Sequence, residues 1–337
     1  MRIAVTGVTS GVGMRLAEIA LAEGHTITGL VRDPQREDAR RLAGLGVQLV
    51  PGDLDATAAL DELCRGADAV IHTAAHVGDQ GTLEQFERVN VGGTRNTIEA
   101  AARASVPRFV HLSSVAVYGR PPHGRVTEDW PTKKIGLPYE DTKTEAERLA
   151  FQVGKLAGIE VTAVRPPLIY GPYDRNFLPR AMAALRGHRF LLIDGGHAPL
   201  NLVWVDHVVD VLLRAAALPA AAGEIFNIMD EVDTRPPSVR EVAETIARAA
   251  GLPRPRLSLP MPVARVVAKA VERGWEIAGA KGTPPITSFV VTMLTRDVIY
   301  DSGKAVRLLG FRPKIRALQG IARFAREAAG RSPKTGI

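Results

Sequence analysis

Six short apolar runs rich in Val and Ile recur along the first half of the chain: RIAVT (2–6), TITGLV (26–31), VQLVP (47–51), DAVIHT (68–73), RFVHLSS (108–114) and EVTAVRP (160–166). Runs this short and of this composition predict strands. The segments between them are long enough for crossover helices and carry a helical period at 12–23, 56–65 and 83–104, and another helix opens near Tyr139. Strand and helix in alternation predict an α/β fold with a doubly wound parallel sheet. After Pro166 the punctuation changes, with proline-rich breaks at 166–167, 236–237, 253–255, 260–262 and 284–285 dividing shorter elements. NLVWVDHVVDVLLRAAAL (201–218) and EIFNIMD (224–230) nevertheless have the pattern of elements that return to the first sheet. The closing GRSPKTGI reads as a frayed tail.

Composition narrows the class without changing the picture. At 337 residues, 46% hydrophobic and 23% charged, the chain has ample material for a buried core. Lys plus Arg number 43 against 36 Asp plus Glu, a net +7, which points to an anionic ligand or surface. The basic residues are dispersed and aromatics make up only 5%, a distribution that argues against nucleic-acid binding. One cysteine, Cys64, excludes an intramolecular disulfide and a multi-cysteine metal site, as expected of a cytoplasmic protein. The N-terminus enters a strand directly, without the segments of a signal peptide, so no export is expected. No run of 18 apolar residues predicts a spanning helix.

The first strand runs into TGVTSGVGMRLAEIALAEG, where Gly7, Gly11 and Gly13 lie between an apolar strand and an amphipathic helix. Glycine there permits a tight turn, lets a pyrophosphate approach the backbone and lets the helix lie close to the sheet, while N–H groups at the helix start face the anion. Ser10, Gly11, Val12 and Gly13 are therefore candidates for a dinucleotide cradle; a glycine-rich turn without a ligand is the plain alternative. The second strand ends in GLVRDP, where Arg32 offers a guanidinium to a 2′-phosphate and favours NADP, while Asp33 keeps NAD open. Asp53 and Leu54 follow the third strand and Thr73, Ala74 and Ala75 the fourth, all at carboxyl ends, where open α/β sheets bind ligands. Asp53 either takes the adenine amino group, with Leu54 against the ring, or caps the next helix. Residues 1–170 thus read as a Rossmann-type NAD(P)-binding domain and 171–330 mainly as a substrate-binding region, with segments near 200–230 returning to the first.

LPYEDTKTEAERLAF (137–151) sets Tyr139 and Lys143 one helical turn apart, with Pro138 at the helix start. An ammonium beside a phenol is expected to lower the tyrosine pKa and make Tyr139 a general acid. The plain alternative is a surface helix in which Lys143 pairs with Glu140 or Glu147.

Together these stretches resemble the extended short-chain dehydrogenase/reductase family: TGVTSGVG, GDL, HTAA, NVGGTRN, LSSVAVYG, YEDTK and RPPLIYGP occur in order over about the first 175 residues. VWVDHVVDVLL, EIFNIMD and YDSGKAVRLLGFRP extend the likeness more weakly. The glycine loop departs from the extended pattern, since Ser10 holds the middle position and Gly11 follows. The resemblance implies that Ser114 hydrogen-bonds the substrate oxygen, that Tyr139 exchanges its proton, and that Lys143 holds the nicotinamide ribose and depresses the tyrosine pKa. It makes Ser113 structural, Asn90 cofactor-proximal, and Pro166 and Pro167 neighbours of the nicotinamide carboxamide. A donor and a proton aimed at an oxygen where charge develops suit hydride transfer. No metal is required, so His72, His76 and His111 are read as packed or cofactor-adjacent.

Within that family the choice lies between nucleotide-sugar epimerases or dehydratases and dehydrogenases of hydrophobic alcohols. The arginine that clamps a sugar-nucleotide pyrophosphate is replaced here by Leu200 in LNLVWVDH, with Asn201 at the acidic position and His207 for the second aspartate. The likeness is to the 3β-hydroxysteroid dehydrogenase and dihydroflavonol reductase branch, which implies an NADP- or NAD-dependent dehydrogenase of a hydrophobic, steroid-like or polycyclic molecule. An epimerase or dehydratase, and a non-catalytic NADP-binding sensor or scaffold, are the other two readings. Segment 261–278 sets Arg265, Lys269 and Arg273 along one stripe, as in a lid over an apolar pocket or a peripheral membrane contact, and Gly274 predicts a break in it. Family likeness also implies a homodimer through helices 83–104 and 138–157.

Overall fold

A computed structural model describes residues 1–78, 81–121, 123–278 and 287–331, so the predicted break at 284–285 and the tail beyond 331 lie outside the described residues. The first half alternates as its apolar runs require: β1 (Arg2–Thr6), α1 (Gly11–Ala22), β2 (Thr26–Val31), α2 (Glu37–Gly44), β3 (Gln48–Pro51), α3 (Thr57–Cys64) and β4 (Ala69–His72). The next crossover is not the single α-helix expected over 83–104. α4 (Leu83–Phe86) passes into a π-helical turn at Glu87–Gly92 and then α5 (Gly93–Arg103), ahead of β5 (Arg108–Leu112). A 3-10 turn (Val115–Tyr118), β6 (Gly124–Val126), α6 (Pro138–Ala157) and β7 (Glu160–Arg165) follow.

Beyond β7 the elements shorten: β8 (Leu168–Tyr170), α7 (Phe177–Arg186), β9 (Leu191–Ile193), β10 (Leu202–Trp204), α8 (Val205–Ala217), β11 (Ile225–Asn227), α9 (Val239–Ala250), β12 (Leu257–Leu259), α10 (Met261–Ile277), α11 (Ser288–Met293), β13 (Val298–Tyr300), α12 (Gly303–Leu309) and α13 (Ala317–Arg331). α10 runs through Gly274 without the predicted break, because packing along its length outweighs the roughly 1 kcal/mol that an interior glycine costs.

The central sheet has the order β11-β7-β5-β4-β1-β2-β3, with every pairing parallel. Chain order runs outward in one direction from β1 and in the other from β4, so the topological switch lies between these two strands, in register from Ile3 opposite Ala69 to Thr6 opposite His72. Ligands of doubly wound sheets bind in the crevice beyond such a point. One core layer joins the sheet to α1 and α8 through Met14, Leu16, Val208 and Leu212; the other joins it to α3, α5 and α6 through Leu60, Ile98 and Ala150. A third core, with Leu178, Trp204, Ile246 and Ile321, holds α7, α9 and α13 together with residues of the parallel ladders β8–β10 and β9–β12, while the β6–β13 ladder packs in a separate cluster through Val126 and Val298.

Candidate active site

At the end of β1 the chain turns through Gly7, whose φ of +72° and close approach to Ala74 exclude a side chain: a Cβ there would lie 2.6 Å from the Ala74 nitrogen. A Cβ on Gly13 would lie 2.2 Å from the Gly7 carbonyl oxygen, so α1 rests directly on the turn. Both spaces form a cradle with bare backbone, which fits a pyrophosphate at a helix N-terminus. Ser10 is the N-cap of α1, and its Oγ accepts from the Gly13 N–H at 3.0 Å. Gly11 and Val12 open the first turn beside it. Thr73 closes the other wall by donating its hydroxyl to the Thr6 carbonyl at 2.8 Å, while Ala74 and Ala75 stay partly exposed.

Two further strand tips border the crevice. Arg32 is exposed after β2, and the Asp33 carboxylate beside it accepts from the Gln35 N–H at 2.9 Å. After β3 the Asp53 carboxylate accepts from the Asp55 N–H at 3.0 Å and forms a local turn; the N-cap of α3 is Ala56, so Asp53 is not the helix cap. Leu54 packs on Gly93 at the start of α5, and its carbonyl accepts from the Asn96 amide at 2.8 Å.

Tyr139 and Lys143 occupy the first two turns of α6, which packs against the 3-10 turn that follows Ser114. Ser114 is extended (φ −160°), its Oγ accepts from the Ala116 N–H at 3.1 Å, and its hydroxyl acts on the Tyr139 phenol. Pro166 is buried, and its carbonyl accepts from the Val115 N–H at 3.1 Å, tying the end of β7 to the same turn. Lys143 is 2% exposed and donates to the Leu112 carbonyl at 2.6 Å rather than to Glu140 or Glu147.

The electrostatics correct one expectation. The Tyr139 pKa is raised, not lowered: burial of the phenol outweighs the help of the Ser114 hydroxyl, and the Lys143 ammonium is engaged with the Leu112 carbonyl. Lys143 itself is pushed down to about 8 by burial, which Glu147 one turn later only partly offsets.

The π-helical turn explains Asn90. An extra residue in that turn sends its side chain inward, to 2% exposure, where Oδ1 accepts from the His76 N–H at 2.7 Å and Nδ2 donates to Thr142 Oγ1 at 3.0 Å. Thr142 precedes Lys143, so Asn90 ties the loop after β4 to α6.

The chain matches the family described as "NAD dependent epimerase/dehydratase family" over residues 3–228. It belongs to that family. Among curated relatives it is 32% identical to the 4-hydroxy-2-methyl-3-oxo-4-farnesyl-3,4-dihydroquinoline-1-oxide ketoreductase of Stigmatella aurantiaca, with 95% of each chain covered. It is 28% identical to the 2-alkyl-3-oxoalkanoate reductase of Stenotrophomonas maltophilia, over 98% of this chain and 100% of that one. Among solved structures it is similar to MoeE5 in complex with UDP-glucose and NAD, at 26% identity and a TM-score of 0.75, covering 97% and 98% of the two chains. The protein is thus an NAD(P)-dependent enzyme of the epimerase/dehydratase family, within the extended short-chain dehydrogenase/reductases.

Behind this family's helix lie groups that sequence reasoning did not assign. Glu147, on the same stripe as Tyr139 and Lys143, receives both Nε (2.9 Å) and a second nitrogen of Arg165 inside the protein. The Arg165 guanidinium lies 4.7 Å over the Tyr118 ring, and the Tyr118 hydroxyl donates to Asn227 Oδ1 at 2.8 Å. The available signals were the four-residue spacing 139, 143, 147 and an arginine ending an apolar strand. His72 and His111 are core residues, stacked with centroids 5.6 Å apart. The Thr94 hydroxyl is spent on the Asn90 carbonyl, so His72 Nε2–H donates to Thr94 and Nδ1 accepts from Thr6; burial pushes its pKa down to about 3.

Proposed function

We propose that the protein is an NADP-preferring oxidoreductase that interconverts a secondary alcohol and a ketone on a hydrophobic small molecule, with Ser114, Tyr139 and Lys143 as catalytic residues. The observation that carries this reading is Lys143: a buried ammonium with one backbone acceptor, one turn from a phenol that keeps its proton. When bound, the nicotinamide supplies hydride to the carbonyl carbon or takes it from the alcohol. As negative charge grows on a carbonyl oxygen, the Ser114 hydroxyl donates a hydrogen bond and Tyr139 gives up its proton. The phenolate left behind is favoured by the Lys143 ammonium, so the cost of burying that charge is offset when the proton leaves. Gly7, Ser10, Gly11, Val12, Gly13, Asp53, Leu54, Thr73, Ala74, Ala75, Asn90 and Pro166 border the cofactor in this reading.

Substrate character rests on the two reductase relatives, whose names carry a farnesyl and an alkyl group on a ketone, and on Leu200, buried where a sugar-nucleotide enzyme places its arginine. Preference for NADP rests on exposed Arg32, with Asp33 engaged in its own turn. Arg32→Asp should weaken NADP(H) by roughly 10- to 100-fold, the loss of one charged contact, and leave NAD(H) nearly unchanged. A homodimer through α5 and α6 belongs to the same reading, and light scattering in solution checks it.

The deciding experiment offers alkyl ketones, sterol ketones and UDP- and dTDP-sugars with each dinucleotide, following nicotinamide absorbance and product structure. Stoichiometric oxidation of NADPH with a hydrophobic ketone is expected. Conversion of a sugar nucleotide without net cofactor change would instead support the epimerase reading, which the likeness to MoeE5 with UDP-glucose favours.

A further inference from the structure

α10 packs through small side chains. Ala264 and Ala268 are fully buried with Ile193 and Val291, and Leu259, Met261 and Leu294 close the same small cluster. At 3.6 residues per turn, Val263, Val266, Ala270 and Ile277 fall in an arc of about 60° on the opposite side. Val263 is 46%, Val266 69% and Ile277 75% exposed. Arg273, Lys269 and Arg265 follow on one flank, about 20°, 60° and 100° beyond Val266, and all three are exposed. The Glu272 carboxylate is turned away, accepting from the Ser288 N–H at 2.8 Å and hydroxyl at 2.7 Å. Just upstream, Arg254 and Arg256 are exposed and Leu257 is 51% exposed.

We propose that this face of α10 docks on an anionic phospholipid surface, with Val263, Val266 and Ile277 entering the acyl boundary and Arg265 and Lys269 meeting lipid phosphates from its flank. The charge and the geometry fit that occupant. An apolar strip with basic side chains on its flank is a feature of helices that lie in a membrane interface. No described helix is long and apolar enough to cross a bilayer, so the contact is peripheral. A second copy of the chain is a poorer occupant, since a two-fold contact on this face would set Arg265 and Lys269 against their own kind. The inference goes beyond the proposed reaction and is read without turnover, so either can fail alone.

The full chain is sedimented with phosphatidylcholine vesicles, with and without phosphatidylglycerol. Binding to the anionic vesicles alone is expected, falling at least about 10-fold in high salt as charges are screened. Arg265→Glu and Lys269→Glu should each weaken it by at least roughly 5-fold. Val266→Asp with Ile277→Asp should abolish it while leaving the circular dichroism and melting curve unchanged, since both side chains are exposed. Equal recovery with and without vesicles, unaltered binding by the variants, or a dimer that Val266→Asp dissociates would overturn the proposal.

Discussion

The clusters around Lys143 and Asp230 bury comparable polar groups and treat them in opposite ways. The Asp230 carboxylate, on a residue 3% exposed, accepts from His207 Nδ1–H at 2.7 Å, the Tyr170 hydroxyl at 2.7 Å and the Trp204 N–H at 2.8 Å. His207 is complete as well, because its Nε2 accepts from the Lys314 N–H at 2.9 Å, which fixes the tautomer. The network joins β8, β10, α8 and the segment entering α13. Lys143, equally buried, has one carbonyl, and the nearest carboxylate on its helix is committed to Arg165. A missing partner is not by itself a mark of function, since both ring nitrogens of core His111 also lack one; the Lys143 ammonium differs in standing one turn from the Tyr139 phenol.

The sharpest way to break this contrast is Asp230→Ala. Three buried donors would lose their acceptor, and at roughly 1–3 kcal/mol each, partly relieved by the Ala317 carbonyl 3.1 Å from the Tyr170 hydroxyl, stability should fall on the order of 4 kcal/mol. Chemical denaturation checks it. A loss below about 1 kcal/mol would mean that the network is decorative.

Tyr139→Phe should do the reverse. Turnover on an identified ketone is expected to fall at least about 10²-fold, or about 2.7 kcal/mol in the barrier, with cofactor affinity and unfolding midpoint nearly unchanged. Full activity in the variant would move the proton donor elsewhere. Lys143→Met tests the same cluster through stability. Burial depresses the folded pKa from 10.5 to about 8, so the unfolded chain binds more protons between those values. Wild-type stability should therefore rise as pH climbs through that window and be lowest below it. The full shift corresponds to about 3 kcal/mol. Subtracting about 1 kcal/mol for the lost bond to Leu112, Lys143→Met should be more stable than wild type by roughly 2 kcal/mol at pH 7 while being inactive. A flat stability profile between pH 8 and 10.5 would show that the ammonium carries no burial penalty.

The same contrast explains what could be read from sequence. The parallel sheet was legible because its strands are short apolar runs, a pattern local to a few residues; they are fully buried at β4 and β5, while at the edge only Val50 of β3 is buried. Ser114, Tyr139 and Lys143 were legible as candidates through spacing and family likeness, yet the direction of the Tyr139 shift was not, since burial is a property of the assembled fold. Asn90 was placed near the cofactor without its reason, because a π turn leaves no periodic mark in ERVNVG. Glu147 and Arg165 look like solvated charges until the sheet brings them together. His207 and Asp230 are 23 residues apart, with most of α8 and the strand β11 between them.

Ser10 is the smallest and most discriminating test. It was expected to touch the cofactor, yet its hydroxyl is already a helix cap, bonded to the Gly13 N–H. If a satisfied group is architecture, Ser10→Ala should cost about 1 kcal/mol of stability and Ser10→Gly only a few tenths, as for other N-caps. Dinucleotide affinity should then change less than about 3-fold in either variant, because the first-turn N–H groups that face the anion belong to the backbone. Calorimetric titration alongside thermal melts separates the two quantities. Should Ser10→Ala leave the melt unchanged and weaken the dinucleotide by about 10-fold, the hydroxyl leaves its cap when the phosphate arrives, and the contrast between Lys143 and Asp230 would not extend to the glycine loop.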